Sequence, residues 1–457
     1  VEQEDLVAVL HEDPEAAGKA LSAIHAEWDS PVDPRDPETI FDHIVKASPP
    51  LEEQISRGDP ASPRSAAAKL FTSTYRKGYV AHAPMESHAA LAVAESAKTT
   101  VWASTQTPFP TRDRVAEALK LDPKNVRVVT PFLGGGFGGK SADRQAIEAA
   151  RLAKIAGRPV MVDWTRAEEF FFDTFDPAAV VRIESAIDGD GRITAWDYTV
   201  WAAGGRSTEL LYDCPNVRIR VSGRTAYGSG ASGASVHPFA VGPWRAPGAN
   251  MNVFARESQI DLMAAAARID PLEFRLRNIP DPRMRRVLQA AAQGFGWKSA
   301  PGPSGQGRAV ACNVDAGTYV ASMAEVAVDR ATGKVTVRRI VCAEDMGIVV
   351  NPEGAKMQIE GGVTQGLGYT LSEELRFKGG EILDRNFDTY EMPRFSGLPD
   401  IEAVIVKNDE LAPQGGGEPA IVPTGAVIAN AVFDAVGVRL YRLPLTPDRV
   451  KQAISSA

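Results

Sequence analysis

Two long stretches of alternating apolar and polar residues constrain the fold of this chain most. The first, residues 185–205, turns at the DGDG segment 188–191, and the second, residues 320–347, turns at Thr332-Gly333. Alternation on both sides of a Gly-containing turn predicts two antiparallel β-hairpins. Helical patterns follow at Pro352–Leu371 and Thr424–Val436. Because hairpins and isolated helices replace a regular strand–helix–strand alternation, the predicted fold class is α+β.

The N-terminal region has the pattern of a small folded unit that is followed by a connecting segment. Residues 1–29 have strand, helix and strand patterns in turn, at Leu6–Leu10, at Pro14–Ile24 and in the run to Trp28. The chain therefore begins inside a folded unit, and we expect a further segment upstream or on another chain. Residues 30–66 are rich in Pro, Asp, Ser and Gly, with a short amphipathic stretch near Ile40–Ala47, and are predicted to be a surface linker.

The rest of the chain is predicted to form two larger domains, residues 67–295 and 296–457. The boundary is placed at the Gly-, Pro- and Ser-rich segment 296–309. No repeat with a fixed period and no low-complexity run interrupts either part.

Charge and cysteine content exclude several classes of protein. The net charge of −8 disfavours a general nucleic-acid role. Cys214, Cys312 and Cys342 form no C-x-x-C pair, which excludes a zinc ribbon or an iron–sulfur cluster held by this chain alone. No apolar run of about 18 residues is recognised, so a transmembrane segment is not predicted. The compartment, cytoplasm or periplasm, stays open.

The segment FLGGGFGGKS, residues 132–141, matches the letters of a nucleotide-binding phosphate loop. Gly134, Gly139, Lys140 and Ser141 satisfy G-x-x-x-x-G-K-[ST]. A phosphate-loop ATPase is therefore an alternative hypothesis. The large ring of Phe137 argues against it, because it stands where backbone N–H groups would need to approach a compact anion.

Glu418 is the carboxylate with the most unusual sequence surroundings. Three glycines precede it and Pro419 follows it, so an irregular backbone can direct one carboxylate into a cavity. A carboxylate in such a place is a candidate general base. His82 and His88 are six residues apart around Pro84, a spacing that does not favour a shared metal ion.

Eight short motifs occur in an order that resembles a known family. They are HAPMESHAAL (82–91), WASTQTPF (102–109), LGGGFGGK (133–140), PWRAPGA (243–249), RESQIDLMA (256–264) with DPLEFRLRN (270–278), AEDMGIVVNPEGAKMQIEGGVTQGLG (343–368) and QGGGEPAI (414–421). This series resembles the molybdenum-binding large subunit of the xanthine oxidase family of molybdenum hydroxylases. The nearest branch is the isoquinoline 1-oxidoreductase and bacterial aldehyde dehydrogenase type.

The resemblance implies two molybdopterin-binding domains preceded by the end of a hammerhead-like domain. It also implies molybdenum held by the dithiolene of a pterin, in its cytosine dinucleotide form, with no protein ligand to the metal. Family members oxidise an aldehyde or hydroxylate an N-heterocycle next to nitrogen, with oxygen from water. Electrons would leave through [2Fe-2S] clusters on a small partner subunit, towards an acceptor such as a cytochrome. An upstream or companion chain would complete the pterin site.

The resemblance also assigns expected roles to individual residues. Glu418 matches the family base, which takes the proton from the molybdenum hydroxide while hydride passes to the sulfido ligand. Residues expected to bind the cofactor are Gly136, Phe137, Gly138, Arg245 and Gln365. Residues expected to line the substrate pocket are Gln106, Trp244 and Pro247. The mechanism requires Glu418 and the Phe137–Gly138 backbone to share one enclosed space.

Several positions depart from the xanthine-type pattern. Ser141 stands where those members have an acid, Pro247 where they have an aromatic residue, and Val80 where they have a glutamine. A xanthine substrate is therefore not predicted. Gly305-Gln306-Gly307 matches a family cofactor segment by its letters, but it lies in the predicted joint and is not assigned. A cofactor-less fragment or assembly scaffold is the non-enzymatic alternative.

Overall fold

The computed structural model describes residues 1–3, 6–27, 32–61, 69–95, 98–222, 236–298 and 303–456. Helices and strands are mixed without regular alternation, and the α+β prediction is confirmed. The helices are α1 (Pro14–Ser22), α2 (Ile40–Ala47), α3 (Pro108–Leu119), α4 (Arg144–Ala156), α5 (Arg166–Phe172), α6 (Ala249–Ala267), α7 (Pro271–Asn278), α8 (Pro282–Phe295), α9 (Pro352–Leu371), α10 (Thr424–Val436) and α11 (Pro447–Ser455).

The strands form three larger sheets and several two-stranded pairs. The strands are β1 (Glu2–Gln3), β2 (Leu6–Val7), β3 (Glu52–Arg57), β4 (Lys69–Lys77), β5 (Val80–Ala81), β6 (Ala89–Ala94), β7 (Thr99–Ala103), β8 (Val126–Val129), β9 (Val160–Asp163), β10 (Phe175–Asp176), β11 (Ala179–Ile187), β12 (Ile193–Trp201), β13 (Val217–Ser222), β14 (Gln306–Asp315), β15 (Thr318–Val328), β16 (Val335–Asp345), β17 (Phe377–Lys378), β18 (Glu381–Ile382), β19 (Asp400–Ile405) and β20 (Arg442–Leu443). The larger sheets have the orders β20-β4-β11-β12-β13-β3, β14-β15-β16-β19 and β8-β7-β6-β9.

Both predicted hairpins are confirmed. Strands β11 and β12 pair antiparallel from Val180 opposite Trp201 to the turn, and β15 pairs antiparallel with β16. The predicted bounds of α9 and α10 also agree with the structure. These elements were predictable because alternation, the Asn351 cap and the Gly437 stop act through near neighbours in the sequence.

The main core lies between the six-stranded sheet and the sheet β14-β15-β16-β19. Helix α6 packs on β4 and β11, and α10 packs on α6, β14 and β15. Helix α8 packs on β15, β16 and β19. A second core joins α3 and α4 to the sheet β8-β7-β6-β9. The site described below lies where loops from all three sheets meet.

The stretch 30–66 differs from the predicted surface linker. Helix α2 buries Ile40, Phe41 and Ile44, and β3 pairs with β13 at the edge of the six-stranded sheet. Helix α2 coincides with the amphipathic stretch Ile40–Ala47, but the Pro- and Asp-rich composition concealed its docking on the core, for which three apolar residues on one helical face are enough. The four-part domain division stays a prediction.

Other local differences occur near the predicted boundaries. The N-terminal strand is limited to Leu6–Val7, which pairs with β1, and Trp28 lies outside the described residues. Strand β14 already begins at Gln306, inside the predicted joint. A Cβ at Gly307 would lie 1.9 Å from the carbonyl oxygen of Ala431 in α10. Gly307 therefore permits close strand–helix packing, and residues 305–307 are not a flexible joint.

One segment of the described chain, Pro419–Val436, is long and apolar enough to cross a membrane by length and composition, with a mean hydropathy of 1.5. The expectation that no segment reaches this limit was wrong. The structure places 89% of this window inside the protein. The segment is therefore a core helix of this fold.

Candidate functional site

The glycine loop and the Glu418 segment meet at the turn that contains Arg245. The backbone N–H of Arg245 donates to the carbonyl oxygen of Phe137 at 2.9 Å. The next backbone N–H, that of Ala246, donates to Oε1 of Glu418 at 2.9 Å. Segments that are 280 residues apart in the sequence, Gly138 and Glu418, are therefore joined through two consecutive peptide groups.

The guanidinium of Arg245 ties this turn to two further segments. Its Nε donates to the carbonyl oxygen of Gly417 at 2.8 Å, and its Nη1 donates to Oε1 of Gln365 at 2.9 Å. Its Nη2 donates to the carbonyl and side-chain oxygens of Gln358 at 3.0 and 3.1 Å. Burial lowers the pKa of Arg245, and the negative charges of Glu418 and Glu344 oppose this shift. Arg245 thus organises α9 and the glycine run around Glu418.

The glycine loop has a shape that side chains would prevent. Gly138 has a φ of +116°, and a Cβ there would lie 1.7 Å from the carbonyl oxygen of Pro243. The N–H of Gly138 donates to Oε1 of Gln106 at 2.9 Å. A Cβ at Gly136 would lie 2.6 Å from the same oxygen. The loop therefore leaves room for a close approach of backbone to neighbouring groups.

Lys140 is committed to an ion pair. Its side chain is fully buried, and its Nζ donates to Oε1 of Glu86 at 2.6 Å. The other oxygen of Glu86 accepts the N–H of Gly134 at 2.7 Å. Burial raises the pKa of Glu86, but Lys140 and Gly134 outweigh it and lower the pKa. Lys140 therefore binds the glycine loop to Glu86, whereas the lysine of a phosphate loop must reach bound phosphate.

The two histidines of the first motif are structural supports in this geometry. His82 Nδ1 lies 2.9 Å from Oδ2 of Asp173, and its Nε2 lies 2.7 Å from the carbonyl oxygen of Pro243. Burial lowers the pKa of His82, but Asp173 outweighs burial and raises it. His88 pairs with Glu169 at 2.9 Å. In the described ranges, no group of three or more His, Cys, Asp or Glu side chains is placed to hold a metal ion.

Glu418 has a charged partner that the sequence analysis missed. Nη2 of Arg206 donates to Oε2 of Glu418 at 2.5 Å. The same guanidinium binds the carboxylate of Asp315 through two hydrogen bonds of 2.7 Å. Burial lowers the pKa of Arg206, but its hydrogen bonds to both carboxylates outweigh burial and raise it. No local motif surrounds Arg206 or Asp315, so only tertiary structure reveals this cluster.

Glu344 is a second missed carboxyl group beside this cluster. The side chain of Asp345 binds Arg283 and Arg286 of α8, so Glu344, its neighbour in β16, faces the opposite side of the sheet. Both Glu344 oxygens are buried without a hydrogen-bond partner in the described part of the chain. Burial raises its pKa to about 8; Arg245 opposes the shift and Asp315 adds to it.

The residues predicted to line a substrate pocket lie in different environments. Gln106 is exposed beside the glycine loop, and the side chain of Phe137 is 37% exposed. Trp244 is buried in the main core, with its ring centroid 5.7 Å from that of Tyr369, and Pro247 is also buried. The roles of these residues in substrate binding stay predictions.

The family of the chain follows from comparison with known proteins. A family model described as a molybdopterin cofactor-binding domain matches residues 43–279, and a second model with the same description matches residues 251–399. The chain belongs to this family, and it carries the molybdopterin-binding domains of the xanthine oxidase family large subunits, as the ordered motifs predicted.

The chain is similar to particular members of the family. The chain is 29% identical to a subunit of nicotinate dehydrogenase from Pseudomonas putida, over 98% of this chain and 40% of that protein. It is 30% identical to the beta subunit of isoquinoline 1-oxidoreductase from Brevundimonas diminuta, over 80% of this chain and 49% of that protein. The chain thus spans about half the length of these curated relatives. Its fold resembles that of quinoline 2-oxidoreductase from Pseudomonas putida, with a TM-score of 0.83, 18% identity and coverage of 97% of this chain and 84% of that one.

Proposed function

We propose that this chain is the cofactor-binding part of a molybdopterin-dependent oxidoreductase that oxidises an aldehyde or hydroxylates an N-heterocycle next to nitrogen. The observation that carries the proposal is the convergence of the Phe137–Gly138 backbone and the Glu418 carboxylate on the Arg245 turn. The relatives named above include oxidoreductases of N-heterocycles, which supports this substrate class.

The residues at the site fit a cofactor that brings its own metal ligands. The glycine cradle at Gly136–Gly138 admits close backbone approach, and Gln106 and Gln365 supply amide groups beside it. These groups can hold the polar edge of a pterin, and the described residues present no rival cluster of metal-ligating side chains. When bound, the molybdenum–pterin group supplies two-electron oxidation chemistry.

The role of Glu418 in this proposal is to move a proton. Hydroxylation replaces a substrate C–H bond by C–OH with oxygen from water, and it releases two protons and two electrons. The Glu418 side chain is 38% exposed, and each of its oxygens accepts one hydrogen bond from the protein. Each carboxylate oxygen can accept two, so one site on each oxygen stays available for a proton from water.

Further parts of the enzyme are proposed from the family. Electrons would pass to [2Fe-2S] clusters on a small partner subunit and then to an acceptor such as a cytochrome. The pterin would carry a cytosine dinucleotide, and an upstream or companion chain would complete its site. The nicotinate dehydrogenase and isoquinoline 1-oxidoreductase relatives are each one subunit of their enzyme, which supports an assembly of several chains.

A substitution of Glu418 tests this function in the intact complex. Glu418→Gln should lower turnover by about 10²-fold or more, because a general base contributes about 10²–10⁴-fold, while molybdenum content and thermal stability stay close to wild type. Glu353→Gln, an 80% exposed carboxylate at the start of α9, is the matched control and should keep full turnover. Retained turnover in Glu418→Gln would exclude the base role. A purified complex without molybdenum would favour the scaffold alternative.

A further inference from the structure

We propose that Arg206 is a positioning residue for the Glu418 carboxylate and that Asp315 holds Arg206 in place. This inference rests on the proposed role of Glu418. Arg206 bridges the two carboxylates: it forms a two-bond pair with Asp315 and one 2.5 Å hydrogen bond with Glu418. Two parallel N–H···O bonds fix the plane of a guanidinium, so the third bond points in one direction. Arg206 therefore sets the orientation of Oε2 of Glu418.

The backbone before Glu418 cannot orient this carboxylate by itself. Gly415, Gly416 and Gly417 precede it and have no side chains that could pack against neighbours. Glycine also has the greatest backbone freedom of any residue, so the run needs fixed partners to hold one conformation. The Glu418 carboxylate accepts one hydrogen bond from the backbone N–H of Ala246 and one from the side chain of Arg206.

Asp315 belongs to the same hairpin turn that holds the glycine run. The carbonyl oxygen of Ala316 accepts the N–H of Gly415 at 3.1 Å, and the hydroxyl of Thr318 donates to the carbonyl oxygen of Gly415 at 2.7 Å. The Asp315 side chain is 2% exposed, and burial raises its pKa while Arg206 opposes the shift. One turn thus fixes both the backbone before Glu418 and the arginine that binds its side chain.

Arg206 itself lies on a loop that is hydrogen-bonded to helix α6. The side-chain amide of Asn252 donates to the carbonyl oxygens of Gly204 and Arg206 at 3.0 and 2.8 Å. The hydroxyl of Tyr198 in β12 donates to Oδ1 of Asn252 at 2.8 Å. Asn252 and Tyr198 are buried, so the loop carries Arg206 on a rigid base. This support matches what a positioning residue requires.

The test compares Arg206→Gln, Arg206→Lys and Asp315→Asn in the intact complex. One readout is steady-state kinetics. The other, independent of activity, is the rate at which a water-soluble carbodiimide with an amine labels Glu418, followed by peptide mass spectrometry. Exposed Glu353 is the internal reference for labelling. Arg308→Gln is the matched control, because it removes a partly exposed ion pair with Glu325 at the other end of β14.

Arg206→Gln should increase the relative labelling rate of Glu418 at least threefold and lower kcat at least tenfold, with KM changed less than threefold. Arg206→Lys keeps the positive charge but cannot form the two-bond pair with Asp315, so its labelling rate and kcat should lie between those of wild type and Arg206→Gln. A double variant that combines Arg206→Gln with Asp315→Asn should have the same labelling rate and kcat as Arg206→Gln alone, because Asp315 acts through Arg206. Unchanged Glu418 labelling in both Arg206 variants, or kcat equal to that of Arg308→Gln, would overturn the inference.

The two proposals can fail separately. If Glu418→Gln abolishes turnover while both Arg206 variants label and turn over like wild type, the proposed function stands and the positioning role is wrong. If Glu418→Gln turns over normally, the base role is wrong, and so is a positioning role that serves it. Should Arg206→Gln not fold, Asp315→Asn alone must still raise Glu418 labelling for the inference to hold.

Discussion

Replacement of Glu344 by glutamine should make the protein more stable at alkaline pH. The Glu344 carboxyl is buried and has no hydrogen-bond partner in the described residues, and burial raises its pKa from 4.5 to about 8. Glutamine has nearly the same shape but cannot ionise. Between about pH 4.5 and pH 8, the native state therefore keeps a proton on the Glu344 carboxyl that the unfolded state has released.

The sign and size of the effect follow from this difference. Stability falls with rising pH wherever the native state binds more protons than the unfolded state. Each pH unit corresponds to about 1.36 kcal/mol per proton. Between pH 5 and pH 8 the wild type should thus lose about 4 kcal/mol that Glu344→Gln keeps. For 457 residues that unfold together, the entropy of unfolding is about 1 kcal/mol/K, so this loss corresponds to about 4 °C in melting temperature.

Differential scanning calorimetry of the intact protein between pH 5 and pH 9 measures this effect. The quantity of interest is the difference between variant and wild type at each pH, because Glu373 titrates in the same range: burial also raises its pKa to about 8. Exposed Glu353→Gln is the control and should give a flat difference.

The difference for Glu344→Gln should grow from pH 5 and level off above pH 8. A difference that is constant across this range would show that Glu344 is ionised in the native protein. The reasoning from burial would then be refuted.

Two further predictions concern the glycine loop. Gly138→Ala should lower the stability of the protein by about 3 kcal/mol or more and reduce bound molybdenum, because a Cβ would overlap the carbonyl oxygen of Pro243 at a φ of +116°. Gly157→Ala is the control. Its φ is +59° and no atom lies within 4 Å of the added Cβ, so it should lower stability by only about 1 kcal/mol. Equal melting temperatures for the two variants would contradict the close packing of the loop. Lys140→Ala should lower stability by about 1–2 kcal/mol, since it breaks the pair with half-exposed Glu86, and isothermal titration calorimetry should detect no ATP binding in wild type or variant. ATP binding that Lys140→Ala abolishes would restore the phosphate-loop hypothesis.

Much of the fold was predictable because its signals are local. The β11–β12 and β15–β16 hairpins follow from alternation around a Gly turn, and α9 begins where the Asn351 side chain caps the N–H group of Gly354. The docking of helix α2 and the pairing of strand β3 were missed, because their packing partners lie far along the chain and their composition resembles a loop.

The candidate site also combines residues that the sequence selected with contacts that only the structure shows. Ordered motifs selected Phe137, Arg245 and Glu418, and the structure brings these residues together. The roles assigned to them stay predictions. The glycine-loop lysine was ambiguous in sequence, since the same letters suit a bound phosphate or an internal ion pair.

The sequence by itself determined the two hairpins, the ends of α9 and α10, the glycine-rich loop and the family of the chain, because each depends on neighbouring residues or on motif order. Tertiary structure alone decided that Lys140 binds Glu86, that Arg206 joins Asp315 to Glu418, and that Glu344 is buried. Charged residues are numerous in this chain, and the free energy of each depends on its partner and on its loss of water. Both are set only when segments hundreds of residues apart pack against each other.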